Sequence, residues 1–364
     1  MNLHQTLIEN NAIIQLATAG AGAELISELW KQPGSSAYLA GAHLLQAKTE
    51  LADYIGFQPT DGFCSKETAL DMAMAAYLRA VKTNEREQAG KHPIGIAVTA
   101  AVASTRLPRG EQRAHIAIVH EKGVTQRFET WSKETGLHPR LQQDQRITDA
   151  TLQALKEVLA GTDLPICLDA FDRLRAHPIF LPNGQRKAGL PRKGAFFPAN
   201  FNPIHEGHRL ACLQAEARIG AKVHFMIEAC PPNKPAIPVP ELLRRVALLQ
   251  LENDKHARAV MITIGQPNYI DKARAHPGSR FIAGADAVER LLLPIWGYDV
   301  NYMLEEMDAL DTKFYVLGRR AEGRFVTVED LNVPTAFRHL FEHLDGFHDA
   351  SSTQIRKRLA NKNT

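Results

Sequence analysis

Cysteine is scarce in this 364-residue chain: Cys64, Cys167, Cys212 and Cys230 stand far apart, with no CxxC spacing. That pattern excludes a disulfide framework and a thiolate zinc site, and leaves reduced thiols of a cytoplasmic protein as the expectation. Long hydrophobic runs are also missing. No stretch approaches the roughly 18 apolar residues needed to cross a bilayer. Met1 to Trp30 has no basic start followed by an apolar core, because Glu9, Glu24 and Glu28 interrupt it, so neither a signal peptide nor a membrane partner is expected. A marked excess of charge of one sign is lacking too, with 43 Lys and Arg against 40 Asp and Glu. A formal net charge of +3 gives no surface suited to coating nucleic acid, so anion binding has to come from local clusters. There is no internal repeat, no low-complexity tract and no protein-held metal in prospect.

What is present suits a folded protein of two domains. Hydrophobic residues make up 45% and charged residues 23% of the chain, and 364 residues exceed one ordinary core. In the first half, Ala12 to Ala19, Ile94 to Ala101 and His115 to Val119 read as strands. Glu24 to Lys31, Lys66 to Val81 and Ile147 to Leu159 read as helices, the last with Leu152, Leu155, Val158 and Leu159 on one face. In the second half, strands are expected at Ala195 to Phe197, Lys222 to Ile227, Val260 to Ile264, Arg280 to Ala283 and Lys313 to Leu317. Helices fall between them at Glu206 to Arg218, Glu241 to Leu251 and Ala285 to Leu293. This alternation predicts an α/β fold: a Rossmann-like, mostly parallel sheet with helices on both faces and ligands at the carboxyl ends of its strands. Pro165, Pro178, Pro182 and Pro191 mark the stretch between the halves; its basic group of Arg186, Lys187, Arg192 and Lys193 reads first as solvated surface, with a place near a phosphate site as the alternative. The expected organisation is therefore a domain over 1–162, a linker or arm over 163–194 and a second domain over 195–364.

The densest chemistry lies between Phe197 and His208, where a short strand opens into a helix. Asn200, Phe201 and Asn202 precede the turn, and His205 and His208, three residues apart, project from one side of the helix's first turn. Unpaired N–H groups and the positive end of the helix dipole make that end a site for phosphate. Gly207 permits close approach. For a bare HxxH, two surface histidines near a turn is the ordinary reading; the Asn-Pro before it and the helix after it favour a site. Phe201-Asn202-Pro203-Ile204-His205-Glu206-Gly207-His208 resembles the F-[ND]-P-x-H-x-G-H signature of the HIGH-motif nucleotidyltransferases. Near the C-terminus, Ser351-Ser352-Thr353-Gln354-Ile355-Arg356 resembles their S-S-T-x-I-R signature. Taken alone, that segment reads as an N-cap before a basic tail helix.

The resemblance carries further implications, for roughly Ala195 to Leu359. Gly284 and Asp286, with Trp296 downstream, are similar to the G-x-D and P-x-W segments of nicotinate-mononucleotide adenylyltransferases, which implies a nucleotide pocket and a ring-stacking tryptophan. The gap from Asp286 to Trp296 is two residues longer than usual. Lys234, after Pro231-Pro232-Asn233, resembles the lysine of a phosphate-contacting loop, and Arg319 falls where such enzymes place another phosphate-facing residue. Pro198-Ala199 stand where the family usually has glycine. The implied activity is transfer of AMP from ATP to nicotinate or nicotinamide mononucleotide with release of pyrophosphate. The resemblance implies His205, His208 and Arg356 as the catalytic donors, and Asn200, Phe201, Asn202, Gly207, Lys234, Arg319, Ser351, Ser352 and Thr353 as the residues that hold the triphosphate. Mg2+ is expected to be held mainly by the ATP phosphates. Another phosphorylated acceptor, or a noncatalytic nucleotide-binding regulator, remains open.

In the first half, Pro33-Gly34-Ser35-Ser36 and Ile96-Ala97-Val98-Thr99 resemble the C-terminal domain of CinA, the nicotinamide-nucleotide amidase family. The family's A-E-S-C-T-G-G segment aligns with Thr18 to Ala23, where the polar side chains are mostly gone. Ser35 or Ser36 as nucleophile with Thr99 in one pocket is one reading. The alternative, favoured by the loss of partners, is a turn and cap in a noncatalytic domain that assembles the chain as a homo-oligomer or senses a nucleotide.

Overall fold

The computed structural model describes residues 3–161, 167–232, 234–253, 257–295, 297, 299–321 and 324–347. Its contacts divide the chain into two units. One comprises Met1–His177, Asn183–Lys187 and Pro238–Glu252; the other comprises Pro178–Pro182, Ala188–Ile237 and Asn253–Thr364. The fold is α/β, with a mixed sheet in each unit.

The first unit runs α1 (Leu3–Glu9), β1 (Ala12–Ala19), α2 (Ala23–Trp30), β2 (Leu39–Leu44), α3 (Lys48–Ile55), α4 (Lys66–Arg86), β3 (His92–Ala101), β4 (Gln112–His120), β5 (Gly123–Trp131) and α5 (Leu137–Leu159). The sheet order is β2-β1-β3-β4-β5. β1 pairs parallel with β2 and β3, and β4 and β5 extend the sheet antiparallel. All eight residues of β1 are buried, as a central strand covered on both faces demands. One face packs Ile14, Leu16, Ile94, Ile96 and Val98 against Leu25 and Leu29 of α2 and Ile147, Leu155 and Val158 of α5. On the other, a Cβ at Gly95 would lie 2.3 Å from the backbone N of Tyr77, so glycine is what lets α4 settle on β3. Ser65 caps α4 by accepting from the Thr68 N–H.

From Cys167 onward, the stretch expected as a linker is folded. It contains α6 (Leu168–Ala176), β6 (Ile179–Phe180) and β7 (Arg186–Lys187). Arg186, read as solvated surface, is buried and donates to Asp71 Oδ1 at 3.2 Å, while Arg173 donates to Asp71 Oδ2 at 2.7 and 2.9 Å and to Asp61 at 2.8 Å. Asp71 itself is 1% exposed. A buried carboxylate is tolerable only with such cationic partners, and they arrive from the supposed linker. The expected boundaries at 162 and 194 therefore do not coincide with the contact units.

The second unit adds β8 (Ala195–Pro198), α7 (Glu206–Ile219), β9 (Val223–Glu228), β10 (Val260–Thr263), α9 (Tyr269–Ala275), β11 (Arg280–Gly284), α10 (Ala285–Leu291), α11 (Val300–Ala309), β12 (Lys313–Ala321), β13 (Arg324–Val326) and β14 (Phe341–Phe347). The helix between β9 and β10, α8 (Val239–Asn253), groups with the first unit. Leu242, Leu243, Val246, Ala247 and Leu249 of α8 are all buried, and their spacing puts them on one broad face of the helix. The sheet runs β13-β12-β11-β8-β9-β10-β6, with β14 alongside β12. Its centre is parallel, as expected, while β13 and β6 pair antiparallel at the edges. One face carries Phe196, Met226, Phe281 and Phe314 against α9, α10 and α11. The other carries Phe197 and Phe225 toward α7, which packs on β9, β11 and β14.

Candidate active site

Chain order around β8 creates the site. From β8 the chain moves to β9 and β10 on one side, and later fills the other side with β11 and β12. At such a switch point the connections leave in opposite directions, and in sheets of this kind ligands bind outside the carboxyl ends of the strands, here those of β8 and β11. The turn from β8 into α7 lies there. The Ala199 N–H continues the ladder by donating to the Met226 carbonyl at 3.1 Å, so it is committed to β9. Phe201, at φ 45°, is 2% exposed. It packs on Phe225 at 4.8 Å, Phe197 at 5.5 Å and His208 at 5.1 Å between ring centroids. A left-handed phenylalanine is unfavourable in isolation, and this aromatic cluster holds it there.

That anchoring fixes the histidines. The rings of His205 and His208 stack with centroids 3.7 Å apart. The His205 backbone N–H donates to His208 Nδ1 at 3.2 Å. An accepting Nδ1 places the proton of a neutral His208 ring on Nε2. His205 is the N-cap of α7, a 14-residue helix, and its side chain accepts from the His208 N–H, so the two histidines form a reciprocal capping box at the helix end where the dipole favours an anion. Gly207 between them is buried, and Asn200 and Asn202 belong to the same turn.

The neighbouring strand ends supply charge. Gly284 closes β11, and a Cβ there would lie 2.8 Å from Asp286 Oδ1, so glycine leaves room for that carboxylate at the start of α10. Arg319 on β12 approaches Asp286 at 3.9 Å and Glu289 at 3.8 Å, and Arg290 approaches Asp286 at 3.5 Å. Lys234 is exposed on the loop after β9. Four strands adjacent in the sheet, β12-β11-β8-β9, therefore deliver Arg319, Gly284 with Asp286, the histidine turn and Lys234 from one end. Trp296, Ser351, Ser352, Thr353 and Arg356 lie outside the described residues. Among the described residues no three of His, Cys, Asp and Glu converge as metal ligands.

A cluster that sequence reading missed stands at the ends of β9 and β10. Glu228, 7% exposed, accepts from Thr263 Oγ1 at 2.8 Å and from the N–H groups of Cys230, Gly265 and Gln266, each at 3.1 Å. The signal was an acidic residue ending the apolar run Phe225-Met226-Ile227. Lys272 is buried, its amine pushed down to about 8 by desolvation against the pull of Glu228, and it donates to the carbonyls of Gln266 and Pro267.

In the first unit the proposed pocket residues are not brought together. Ser35 and Ser36 precede β2, at the amino end of the parallel strands, while Thr99 pairs with Ala19 at their carboxyl end. Ser35 Oγ donates to the Trp30 carbonyl at 2.8 Å, and Thr99 Oγ1 donates to the Ser65 carbonyl at 3.3 Å. The one-pocket expectation for Ser35, Ser36 and Thr99 is thereby corrected. Where β1 turns into α2, Asp144 of α5 accepts from the N–H groups of Gly22 and Glu24, the latter at 3.1 Å. The chain's own carboxylate occupies that helix start. A cavity of about 340 Å³ opens instead at the amino end of the sheet, lined among others by Asn11, His92, His120 and Lys122.

No protein-family model matches the sequence, and no curated protein matches it. Among solved structures the chain is similar to a competence-damaged protein (CinA) superfamily protein from Klebsiella pneumoniae, at 15% identity and TM-score 0.32, over 44% of this chain and 99% of that one. It is also similar to the competence/damage inducible protein CihA from Agrobacterium tumefaciens, at 20% identity and TM-score 0.31, over 43% and 93% of the two chains. A CinA superfamily protein from Enterobacter cloacae, at 16% identity and TM-score 0.32, covers 43% of this chain with 90% of its own.

Proposed function

We propose that the second unit is a nucleotidyltransferase that transfers AMP from ATP to nicotinate or nicotinamide mononucleotide and releases pyrophosphate. The observation that carries this reading is the stacked pair of His205 and His208, 3.7 Å apart, at the start of a helix at the sheet's switch point. The acceptor's phosphate oxygen bonds to the α-phosphorus, the bond from that phosphorus to the bridging oxygen breaks, and pyrophosphate leaves with the electron pair. A phosphate nucleophile is already ionised at neutral pH, so no general base is needed. The protein's task is alignment and stabilisation of charge on the α-phosphate and the leaving group. His205 and His208 act on the phosphates, with Lys234 and Arg319 from neighbouring strand ends and Arg356 from the C-terminal motif. Mg2+ enters as part of the substrate, coordinated by the phosphates and water. Gly284 and Asp286 border the nucleotide, with Trp296 as the acceptor-stacking residue.

The first unit is read as noncatalytic and as the contact through which the chain forms a homo-oligomer. The distance between Ser35 and Thr99 along the sheet and the seating of Asp144 at the start of α2 support the first part. Reduced cysteines and a small-molecule nucleotide substrate fit a cytoplasmic protein, and among the described residues no helix is long and apolar enough to cross a membrane. A second phosphorylated acceptor class stays within this reading, because the donors described address only the triphosphate. The test is pyrophosphate release from Mg-ATP with a panel of acceptors that includes both mononucleotides. Release with one of them is expected; silence with every acceptor turns the reading to a nucleotide-binding regulator.

A further inference from the structure

We propose that Glu228 is the positioning residue that sets the Lys234 loop against the triphosphate, an inference that rests on the nucleotidyltransferase reading of this unit. A carboxylate offers about four acceptor positions, and Glu228 fills four. Oε2 takes Thr263 Oγ1 and the Gln266 N–H; Oε1 takes the N–H groups of Cys230 and Gly265. Oε1 therefore ties together two loops, one leaving β9 and one leaving β10.

The second loop is the fixed side of that tie. Lys272 grips its Gln266 and Pro267 carbonyls, and His276 Nε2 meets Gln266 Oε1 at 3.1 Å while its Nδ1 meets the Pro191 carbonyl at 2.6 Å. The first loop is the positioned side. It is closed at its base by the Ile237 N–H donating to the Ala229 carbonyl at 2.8 Å. From Cys230 it continues through Pro231 and Pro232, whose fixed φ angles transmit an orientation over a short distance, to the exposed Lys234. Without the tie at Cys230, the loop keeps the Ala229 N–H to Thr263 carbonyl bond at 2.8 Å, its closure at Ile237 and the long Lys234 N–H to Pro231 carbonyl bond at 3.4 Å, none of which holds Cys230 itself, and Lys234 has more conformations to lose on meeting phosphate. Glu228 itself faces N–H groups and a hydroxyl rather than the ligand, so it acts through Lys234.

The test is calorimetric binding of Mg-ATP to the full chain in a double-mutant cycle. Glu228→Ala is expected to weaken binding roughly tenfold, Lys234→Ala by a similar factor, and the double variant little beyond either one. Glu228→Gln is expected to recover most of the affinity. Its amide oxygen can keep the Cys230 and Gly265 N–H groups, which make the tie, and its NH2 can donate to the Thr263 hydroxyl, while the Gln266 N–H alone loses its acceptor. Equal losses for Glu228→Gln and Glu228→Ala, or fully additive losses in the double variant, overturn the inference while leaving the function intact. Failure of the wild-type chain to bind Mg-ATP overturns the function itself. Should Glu228→Ala not fold, Glu228→Asp keeps the charge but draws the carboxylate back, and gives the same cycle.

Discussion

The backbone N–H of His205 donates to Nδ1 of His208 at 3.2 Å while the two rings stack at 3.7 Å, so one histidine sets the tautomer of the other. His208→Ala removes both the Nε2 donor and the acceptor for that N–H. The expected outcome is loss of turnover by roughly two to three orders of magnitude, the usual consequence of removing a transition-state donor, with the fold retained. Pyrophosphate release and circular dichroism check the two halves of that statement. Wild-type rates in this variant would end the catalytic assignment.

How much of this was legible in the sequence depended on where each constraint comes from. The eight residues of β1 were readable because burial on both faces leaves a mostly apolar run, broken only by Gln15 and Thr18. The turn from Phe197 to His208 was readable because its elements are adjacent in the chain. The edge strand β2, with its alternating exposure and small residues, gave too little apolar signal to be found. Arg186 was misread because its partner Asp71 is 115 residues away, and no local pattern reports such pairing. α8 was found as a helix, but nothing in its periodicity says which unit receives it. Glu228 was overlooked because its meaning lies in N–H groups of a loop 37 and 38 residues on.

Asp144 caps α2 from a distant helix, through the N–H groups of Gly22 and Glu24. Helix capping of this kind contributes about 0.5–2 kcal/mol. Asp144→Ala should lower unfolding free energy by that amount in urea titration, and Asp144→Asn by less, since an amide oxygen still accepts. The same variants also test the noncatalytic reading of the first unit: neither should release ammonia from nicotinamide mononucleotide.

Asp71 draws Arg173 and Arg186 onto α4. Removing one partner of a buried ionic network typically costs about 3–5 kcal/mol, because the remaining charges stay buried. Asp71→Ala should therefore lower the melting temperature far more than Asp172→Ala, whose exposed pair with Arg175 at 3.0 Å contributes little. Limited trypsin digestion gives a local readout: cleavage after Arg173 and Arg186 should accelerate in Asp71→Ala. Unchanged cleavage would mean that the segment is held by something other than this carboxylate.

His120 provides the pH test. It is 4% exposed, accepts the Lys122 N–H at Nδ1, and lines the cavity beside Glu9, Glu121, His92 and Lys122. Burial, outweighing the pull of Glu121, pushes its imidazole down to about 4 from an ordinary 6.5. The unfolded chain thus binds a proton at this residue below pH 6.5, whereas the folded chain declines it until about pH 4. Stability from this group is full above pH 6.5 and falls as pH drops through that window, by at most about 1.4 kcal/mol per pH unit. His120→Gln cannot titrate, so its urea stability should fall less steeply between pH 6.5 and 4 than that of the wild type, the other histidines and carboxylates being common to both. Parallel curves would show that the ring reaches water more readily than its burial implies.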